Sequence, residues 1–265
     1  MSKNKKNEAV WNIRVSNNIS SNFQRAGSSL KIDKRLFKED IICSIVHVEM
    51  LCRQKIISLK SKNKLVWGLN KIRNEIIKKK FFFNSKHEDI HMAVEKRLFE
   101  IVGEEAGYIH TARSRNDQVI TDFKIWINNS TQEIIKLINK TINIILINAE
   151  KNIETIMPGF THLKNAQPIS LGHYLLAYIE MFERDKKRFQ NNFDSLKENP
   201  LGAAAFAGTS FNIDRIYTTK KLKFKKPTNN SIDTVSDRDF VLDFLYAVSV
   251  CSVHISRLAE DFIIW

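Results

Sequence analysis

An eight-residue polar segment, His110-Thr111-Ala112-Arg113-Ser114-Arg115-Asn116-Asp117, contains the side chains needed to bind a carboxylate. An arginine donates two parallel hydrogen bonds to a carboxylate, and serine and asparagine can fix the orientation of the bound group. The segment directly precedes the longest apolar-patterned stretch of the chain, where the free N–H groups of a helix start also favour anions. Spacing alone supports a second interpretation equally well: a polar loop in which Asp or Asn caps the helix.

Two further polar segments lie between stretches of helical pattern. Residues 158–168, PGFTHLKNAQP, place His162 between two helix ends, where an imidazole with a near-neutral pKa can act as an acid or a base. The alternative, a capping or core histidine, is more common for any single histidine. Residues 231–240, SIDTVSDRDF, place Arg238 and several hydroxyls before another helix start. The alternative here is a helix cap with ordinary ion pairs.

Long helices are expected to position these segments, because helix breakers are rare. The 265 residues include only 8 Gly and 4 Pro, too few turn residues for a many-stranded barrel or sandwich. We therefore predict an all-α fold. Apolar spacing predicts helices over about 33–48, 65–77, 88–102, 117–157, 168–197 and 237–265.

The longest predicted helix, residues 117–157, is longer than a small domain is wide, at about 60 Å for 1.5 Å per residue. Helices of this length are typical of bundles that cross subunits or of coiled coils. The polar break before it predicts a domain boundary. We expect an N-terminal helical domain over residues 1–111 and an incomplete central helical bundle over residues 112–265.

Charge and cysteine usage restrict the class of protein. Lys and Arg number 42 against 29 Asp and Glu, a net charge of +13, which favours anionic ligands. The lysine runs at residues 78–80 and 220–226 contain one interleaved aromatic residue, Phe224, which is too few for a base-stacking surface. Nucleic-acid binding is therefore the weakest alternative. The three cysteines, Cys43, Cys52 and Cys251, lack metal-type spacing and indicate reduced thiols in a cytoplasm. The N-terminus leads into no apolar signal core, and the uncharged run Phe244–Ser256 is too short to span a membrane.

The three polar segments are far more specific together than singly. HTARSRNDQV, PGFTHLKNAQP and SIDTVSDRDF, in this order on a helical chain, resemble the argininosuccinate lyase family of the fumarase/aspartase superfamily, and the resemblance runs from Trp11 to Trp265. It implies a homotetramer around a central bundle of long helices, with each active site built from three subunits. It also implies reversible β-elimination of argininosuccinate to arginine and fumarate, with no metal and no organic cofactor.

The resemblance assigns roles to eight residues of this chain. His162 corresponds to the catalytic histidine of the family. The residues that correspond to substrate contacts are Ser29, Ser114, Arg115, Asn116 and Thr161. The surroundings of Ser29 differ from the family pattern, with Gly27-Ser28-Ser29-Leu30 in place of Asn-Ala-Ser-Ile. Asp89, expected near the arginine end of the substrate, and Arg238, expected to support the carboxylate site, are the weaker matches.

Several departures from the family pattern affect the expected activity. Trp11-Asn12-Ile13-Arg14 replaces Trp-Gly-Gly-Arg, and Lys164 replaces a Gln near His162. The sequence stops at Trp265, before the family's mobile loop Gly-Ser-Ser-x-Met-Pro-Gln-Lys-Lys-Asn-Pro, whose serine is the second acid/base residue. We therefore expect the chain alone to be impaired as a lyase. The alternatives are one half of a split enzyme, completed by a C-terminal polypeptide, and a non-catalytic oligomerising protein on the same fold.

Overall fold

Long α-helices dominate the structure, a computed structural model that describes residues 26–84 and 87–265. The predicted all-α class is confirmed. The Trp11-Asn12-Ile13-Arg14 segment lies outside the described residues. The helices are α1 (Leu30–Asp33), α2 (Phe37–Arg53), α3 (Leu59–Ile77), α4 (Ile90–Val102), α5 (Arg115–Lys151), α6 (Leu171–Asn192), α7 (Arg215–Lys221), α8 (Ser231–Ser236) and α9 (Asp239–Ile264). Two 3₁₀ segments, Lys34–Leu36 and Gly103–His110, connect some of them.

Side-chain caps define several helix starts. A helix start leaves backbone N–H groups without partners, and an Asp or Ser oxygen that accepts one of them stabilises the helix by about 1 kcal/mol. Side chains of this type precede α3, α4, α6 and α7 and accept an N–H from the first turn. These residues are Ser58, Asp89, Ser170 and Asp214.

The described chain forms two compact units. The first contains the described residues up to Phe123 together with Glu198–Ser236, and the second contains Lys124–Lys197 together with Asp237–Trp265. Helix α5 runs from the first unit into the second. The predicted domain boundary at residues 111 and 112 concerns the whole protein and stays a prediction.

The core of the first unit lies among α2, α3 and α4, which pack on one another. Their apolar residues recur on one face of each helix, and burial of such a face stabilises the unit by roughly 25 cal/mol for each Å² removed from water. Fully buried members of this core include Ile41, Leu65, Leu69, Ile90 and Leu98.

In the second unit, α6 packs along α9. Phe189 and Phe244 meet edge to face, with ring centroids 6.1 Å apart, and Phe182 of α6 is also buried. A hydrogen bond adds a polar contact: Nδ1 of His254 lies 2.7 Å from the carboxylate of Asp185, which is fully buried.

Residues 156–170 form a β-hairpin, which corrects three expectations: a helix that continues to residue 157, a loop after it, and a helix from Pro168. The long helix ends at Lys151. Strand β1 (Ile156–Thr161) pairs antiparallel with β2 (Lys164–Ser170), with Pro158 opposite Pro168. A β-carbon at Gly159 would lie only 2.5 Å from the carbonyl oxygen of Gln167, so the close approach of the strands requires glycine there. A second, minimal sheet pairs β3 (Glu198–Asn199) with β4 (Lys226–Pro227) in parallel.

Helix α9 combines an apolar sequence with an exposed apolar face. Among the described helices it is long and apolar enough, by length and composition only, to cross a membrane. A helix of a soluble helical bundle passes the same test when it packs on several sides. The exposed side chains on α9 include Leu242, Leu245, Tyr246 and Val253.

Candidate functional site

The start of α5 is closed by reciprocal hydrogen bonds within its first turn. The backbone N–H of Ser114 donates to the Asp117 carboxylate at 2.9 Å, and the Ser114 hydroxyl accepts the N–H of Asn116 at 3.3 Å. A Ser followed three residues later by an acidic residue is typical of a capping box. The capping interpretation of this segment is therefore observed in the structure, and it leaves the Arg115 side chain outside the cap.

The Asp117 side chain also fixes a distant loop. Its second carboxylate oxygen accepts the backbone N–H groups of Gly202 and Ala204, both at 2.9 Å. The adjacent Asn116 side chain donates to the carbonyl of Ala205 at 2.9 Å. Burial raises the pKa of Asp117 above its ordinary value, although its backbone hydrogen bonds oppose that shift. The loop at residues 202–205 is therefore held against the start of α5.

Three side chains surround the Arg115 guanidinium, which is partly buried. Nε lies 3.5 Å from the carboxylate of Asp89, and one Nη lies 3.6 Å from that of Glu95. The other Nη donates to the side-chain oxygen of Gln118 at 3.4 Å. Burial opposes ionisation of Glu95, but its contacts with His110 and Arg115 lower the pKa of Glu95 overall. These contacts orient the Arg115 guanidinium. The neighbouring residue, Asn116, is exposed to solvent.

Ser29 lies beside the same helix start as Asp89. Its backbone N–H donates to the carbonyl of Glu88 at 2.9 Å, and its exposed hydroxyl donates to Asp33. The Asp33 carboxylate in turn accepts the N–H of Ile90 at 3.1 Å. The first unit therefore brings together five of the eight predicted site residues, Ser29, Asp89, Ser114, Arg115 and Asn116.

Thr161 and His162 lie in the second unit, at the tip of the β-hairpin. Thr161 is paired with Lys164 across the turn, and both Thr161 and His162 are exposed. His162 and Leu163, the two turn residues, have φ of +52° and +60°. Two positive φ values in a two-residue turn are typical of type I′, which usually has Asn and Gly. His162 is thus neither a capping residue nor a core residue.

Arg238, the last predicted site residue, is exposed and directly precedes α9 in the second unit. Its guanidinium donates to the carbonyl of Asp237 at 2.7 Å. The Asp237 side chain accepts the N–H of Asp239 at 2.9 Å and lies 3.3 Å from Nζ of the buried Lys124. The structure therefore shows a local turn, closed by the Asp237 side chain, and an ion pair at this segment, and Arg238 itself makes no side-chain cap.

A buried polar cluster behind the Arg115 segment was not predicted from the sequence. Asp40, His91 and Asp122 are at most 3% exposed, and their ligand atoms lie within 4.8 Å of one another. Such a set could hold a metal ion. The contacts present are a 2.9 Å hydrogen bond between His91 and Asp40 and a 3.5 Å approach of His91 to Asp122.

The charges of this cluster are set by burial and by its ion pair. Burial opposes ionisation of Asp40, but His91 and neighbouring donors lower the pKa of Asp40 to about 2. Burial likewise opposes a charge on His91, and Asp40 reverses this and raises the pKa of His91. Burial and the negative charge of Asp40 raise the pKa of Asp122 well above its usual range. The sequence signal for this network is a polar stripe on α2, Asp40, Ser44 and His47, at helical spacing.

Comparison with known proteins identifies the family. A family model described as lyase matches residues 14–265. Argininosuccinate lyase of Pelagibacter ubique (strain HTCC1062) is 67% identical over the whole chain, and that of Chelativorans sp. (strain BNC1) is 47% identical. The chain spans 57% and 56% of the lengths of these two relatives.

Solved structures show the same fold. The crystal structure of EDDS lyase in complex with formate matches 94% of this chain and 50% of its own, with a TM-score of 0.78 and 26% identity. The structure of fumarate lyase:delta crystallin from Brucella melitensis bound to cobalt, 16% identical, has a TM-score of 0.75 over 93% of this chain and 58% of its own. The predicted fumarase/aspartase type of fold is confirmed, and the chain belongs to the lyase family.

Proposed function

We propose that this chain is an argininosuccinate lyase-type protein, whose reaction is the reversible β-elimination of argininosuccinate to arginine and fumarate. The observation that carries the proposal is the start of α5, where Arg115 is oriented beside a capped helix terminus. The resemblance of this segment to the argininosuccinate lyase family, and the identity to relatives of that name, support the same reaction.

In this proposal the Arg115 segment binds a carboxylate of the succinyl group. Loss of a proton from the carbon beside a carboxylate gives a carbanion with aci-carboxylate character, so charge builds up on the carboxylate oxygens. The Arg115 guanidinium, with Ser114 and Asn116, supplies donors to those oxygens, and donors that bind the developing charge lower the barrier. The C–N bond then breaks, its electron pair stays on the departing guanidino nitrogen, and that nitrogen takes up a proton to give the guanidinium of arginine.

His162 is proposed as the acid/base group, with Thr161 as a hydroxyl contact to the substrate. Both side chains are exposed at the tip of a short hairpin, so they are accessible to a partner surface. The left-handed backbone of His162 supports a functional role, because strained backbone positions cluster at functional sites. Ser29, Asp89 and Arg238 complete the proposed set as substrate-binding or supporting residues, and the proposal needs neither a metal nor an organic cofactor.

We further propose a cytoplasmic homo-oligomer, a tetramer by resemblance, whose sites combine segments of several subunits. The exposed apolar faces of α5 and α9 support this, since contiguous apolar surface marks interaction sites. Residues exposed on α5 include Leu137, Ile144 and Ile147. Oligomerisation without catalysis is the second candidate function, and these exposed faces are the observation that favours it.

Turnover measurements test the proposal. The serine loop of the family is not in this sequence, and acid/base assistance is commonly worth about 10²–10⁴-fold, so the chain alone should convert argininosuccinate very slowly. A C-terminal polypeptide that carries the serine loop should restore fumarate formation, followed by ultraviolet absorbance. His162→Asn should abolish the restored activity. Fast turnover by the chain alone would contradict the expected impairment, and no turnover with the added polypeptide would favour the non-catalytic candidate.

Binding measurements test the Arg115 segment separately. Succinate or fumarate should bind weakly to the chain, and Arg115→Ala should abolish that binding because a hydrogen bond to a charged group is worth about 1.5–3 kcal/mol. Isothermal titration calorimetry gives the dissociation constants. Equal affinity of the variant would show that the segment has only a structural role.

A further inference from the structure

We propose that Gln118 is a positioning residue for Arg115 and that Asp40 fixes the orientation in which Gln118 does so. The inference rests on the proposed function, because it concerns how Arg115 is presented to a substrate carboxylate. Gln118 and Asp40 are 2% and 1% exposed, and neither was among the residues predicted from the sequence.

The hydrogen bonds allow only one orientation of the Gln118 amide. Nε2 of Gln118 lies 2.5 Å from the Asp40 carboxylate, and an ionised carboxylate accepts hydrogen bonds but donates none. The NH₂ group must therefore face Asp40. Oε1 is then directed to Nη1 of Arg115 at 3.4 Å, and a guanidinium can only donate.

The ionised form of Asp40 is stabilised by contacts of its own. Its carboxylate hydrogen-bonds to Nδ1 of His91 at 2.9 Å, and the positive charge of Arg113 also favours its ionised form. A buried chain of contacts thus runs from His91 through Asp40 and Gln118 to Arg115. Gln118 and Arg115 are three residues apart at the start of α5, so the helix fixes their spacing.

A neutral acceptor at this position has a specific advantage for anion binding. Asp89 and Glu95 already place two carboxylates 3.5 and 3.6 Å from the Arg115 guanidinium. A third carboxylate would compensate its positive charge further and compete with an incoming anion. The amide oxygen of Gln118 restrains Nη1 without adding negative charge, so Arg115 is oriented and still attracts a carboxylate.

The test uses the 265-residue chain and succinate as the probe. Gln118→Met keeps a side chain of similar length but removes both hydrogen bonds, and it should raise the succinate dissociation constant about 5- to 10-fold, equivalent to roughly 1–1.4 kcal/mol. Asp40→Asn removes the charge that orients the amide, and it should raise the constant by a smaller factor. Thr121→Val is the matched control: it removes another buried hydrogen bond of α5, from the Thr121 hydroxyl to the Asp117 carbonyl, without touching Arg115.

A spectroscopic readout separates positioning from general stability and from the proposed function. The chain is labelled with ¹⁵N-arginine, and the Nη–H signals of Arg115 are assigned by their loss in Arg115→Lys. These signals should broaden or shift in Gln118→Met and in Asp40→Asn. They should stay unchanged in Thr121→Val. This readout needs no ligand, so it tests positioning even if the wild-type chain binds no succinate. Absence of succinate binding by the wild type would count against the proposed function but not against the positioning role of Gln118. Unchanged Arg115 signals in both variants would overturn the inference, as would unchanged succinate affinity in variants of a chain that binds it.

Discussion

Asp117 accepts the backbone N–H of Ala204 at 2.9 Å, although 87 residues of chain separate them. The same oxygen accepts the N–H of Gly202, and the Asp117 side chain is fully buried. One carboxylate thus closes the first turn of α5 and also anchors the 202–205 loop. This contact joins two parts of the first unit that are far apart in the sequence.

Replacing Asp117 with Asn should be strongly destabilising. Asn has one acceptor oxygen where the carboxylate has two, so its NH₂ group would face backbone donors on one side and leave them unsatisfied. A buried unsatisfied group costs about 1–3 kcal/mol, so we expect a loss of about 2–4 kcal/mol in the free energy of unfolding. Urea denaturation measures it. Asn116→Ala, which removes an exposed hydrogen bond to Ala205, should cost less than about 1 kcal/mol. Equal costs would contradict this account.

Replacing Leu163 in the hairpin turn with glycine should stabilise the protein. Leu163 has a left-handed φ of +60° and is 97% exposed, so it contributes strain and little burial. Because a left-handed backbone costs a residue with a β-carbon about 1 kcal/mol relative to glycine, Leu163→Gly should raise the free energy of unfolding by about 0.5–1 kcal/mol. Thermal denaturation measures the change. Leu163→Ala keeps the β-carbon and should be near neutral; a stabilisation equal to that of glycine would refute the strain argument.

His47 should make the protein less stable in acid. Burial, with a contribution from Arg113, lowers the pKa of His47 to about 3, while the unfolded chain takes up this proton near pH 6.5. The contribution of His47 is therefore fully present above pH 6.5 and is lost as the pH falls towards 3, at up to about 1.4 kcal/mol per pH unit.

The substitution His47→Gln tests this pH dependence. Glutamine can still donate to the carbonyl of Thr111, which His47 contacts at 2.9 Å, but it cannot titrate. Urea denaturation between pH 3 and 6.5 should give a flatter dependence on pH for the variant than for the wild type. The exposed His173, changed in the same way, is the control and should leave the slope unaltered. An unchanged slope in His47→Gln would show that His47 does not couple folding to protonation.

Self-association should depend on the exposed face of α9. Leu242 and Leu245 are 65% and 51% exposed, and a lysine at either position would have to lose its hydration to enter an apolar interface. Leu245→Lys should therefore lower the mass measured by light scattering towards that of one chain. Ile216→Lys on α7 makes the same type of change on another helix and should leave the mass unchanged. A wild-type chain that is already monomeric would contradict the proposed oligomer.

The long helices were predictable from the sequence, whereas the hairpin and the short helices α7 and α8 were not. The apolar period of α5 and the rarity of breakers specify helix over long windows, whereas β1 and β2 have little alternation and Pro158 and Pro168 suggest loop. Their turn is His162-Leu163, which lacks the Asn-Gly signal of a two-residue hairpin. Local sequence therefore gave no indication of the strands.

The candidate site was only partly predictable. Ser114, Arg115 and Asn116 are consecutive in the sequence, and their residue types alone indicate a carboxylate-binding segment. The Asp40–Gln118 contact joins residues 78 positions apart, and it depends on the packing of α2 against the start of α5, which no local pattern contains. Asp40, Ser44 and His47, polar residues on an otherwise buried face of α2, are the local pattern that indicates such a network.

The anchoring of the 202–205 loop by Asp117 has a consequence for synthesis of the chain. Gly202 and Ala204 follow Asp117 by 85 and 87 residues. At about 5–20 residues per second, the ribosome delivers these donors roughly 4–17 s after the carboxylate. During that interval the nascent first unit has a carboxylate with vacant acceptor sites and an open flank where the loop will dock. This is the stage at which a chaperone would have the most to protect.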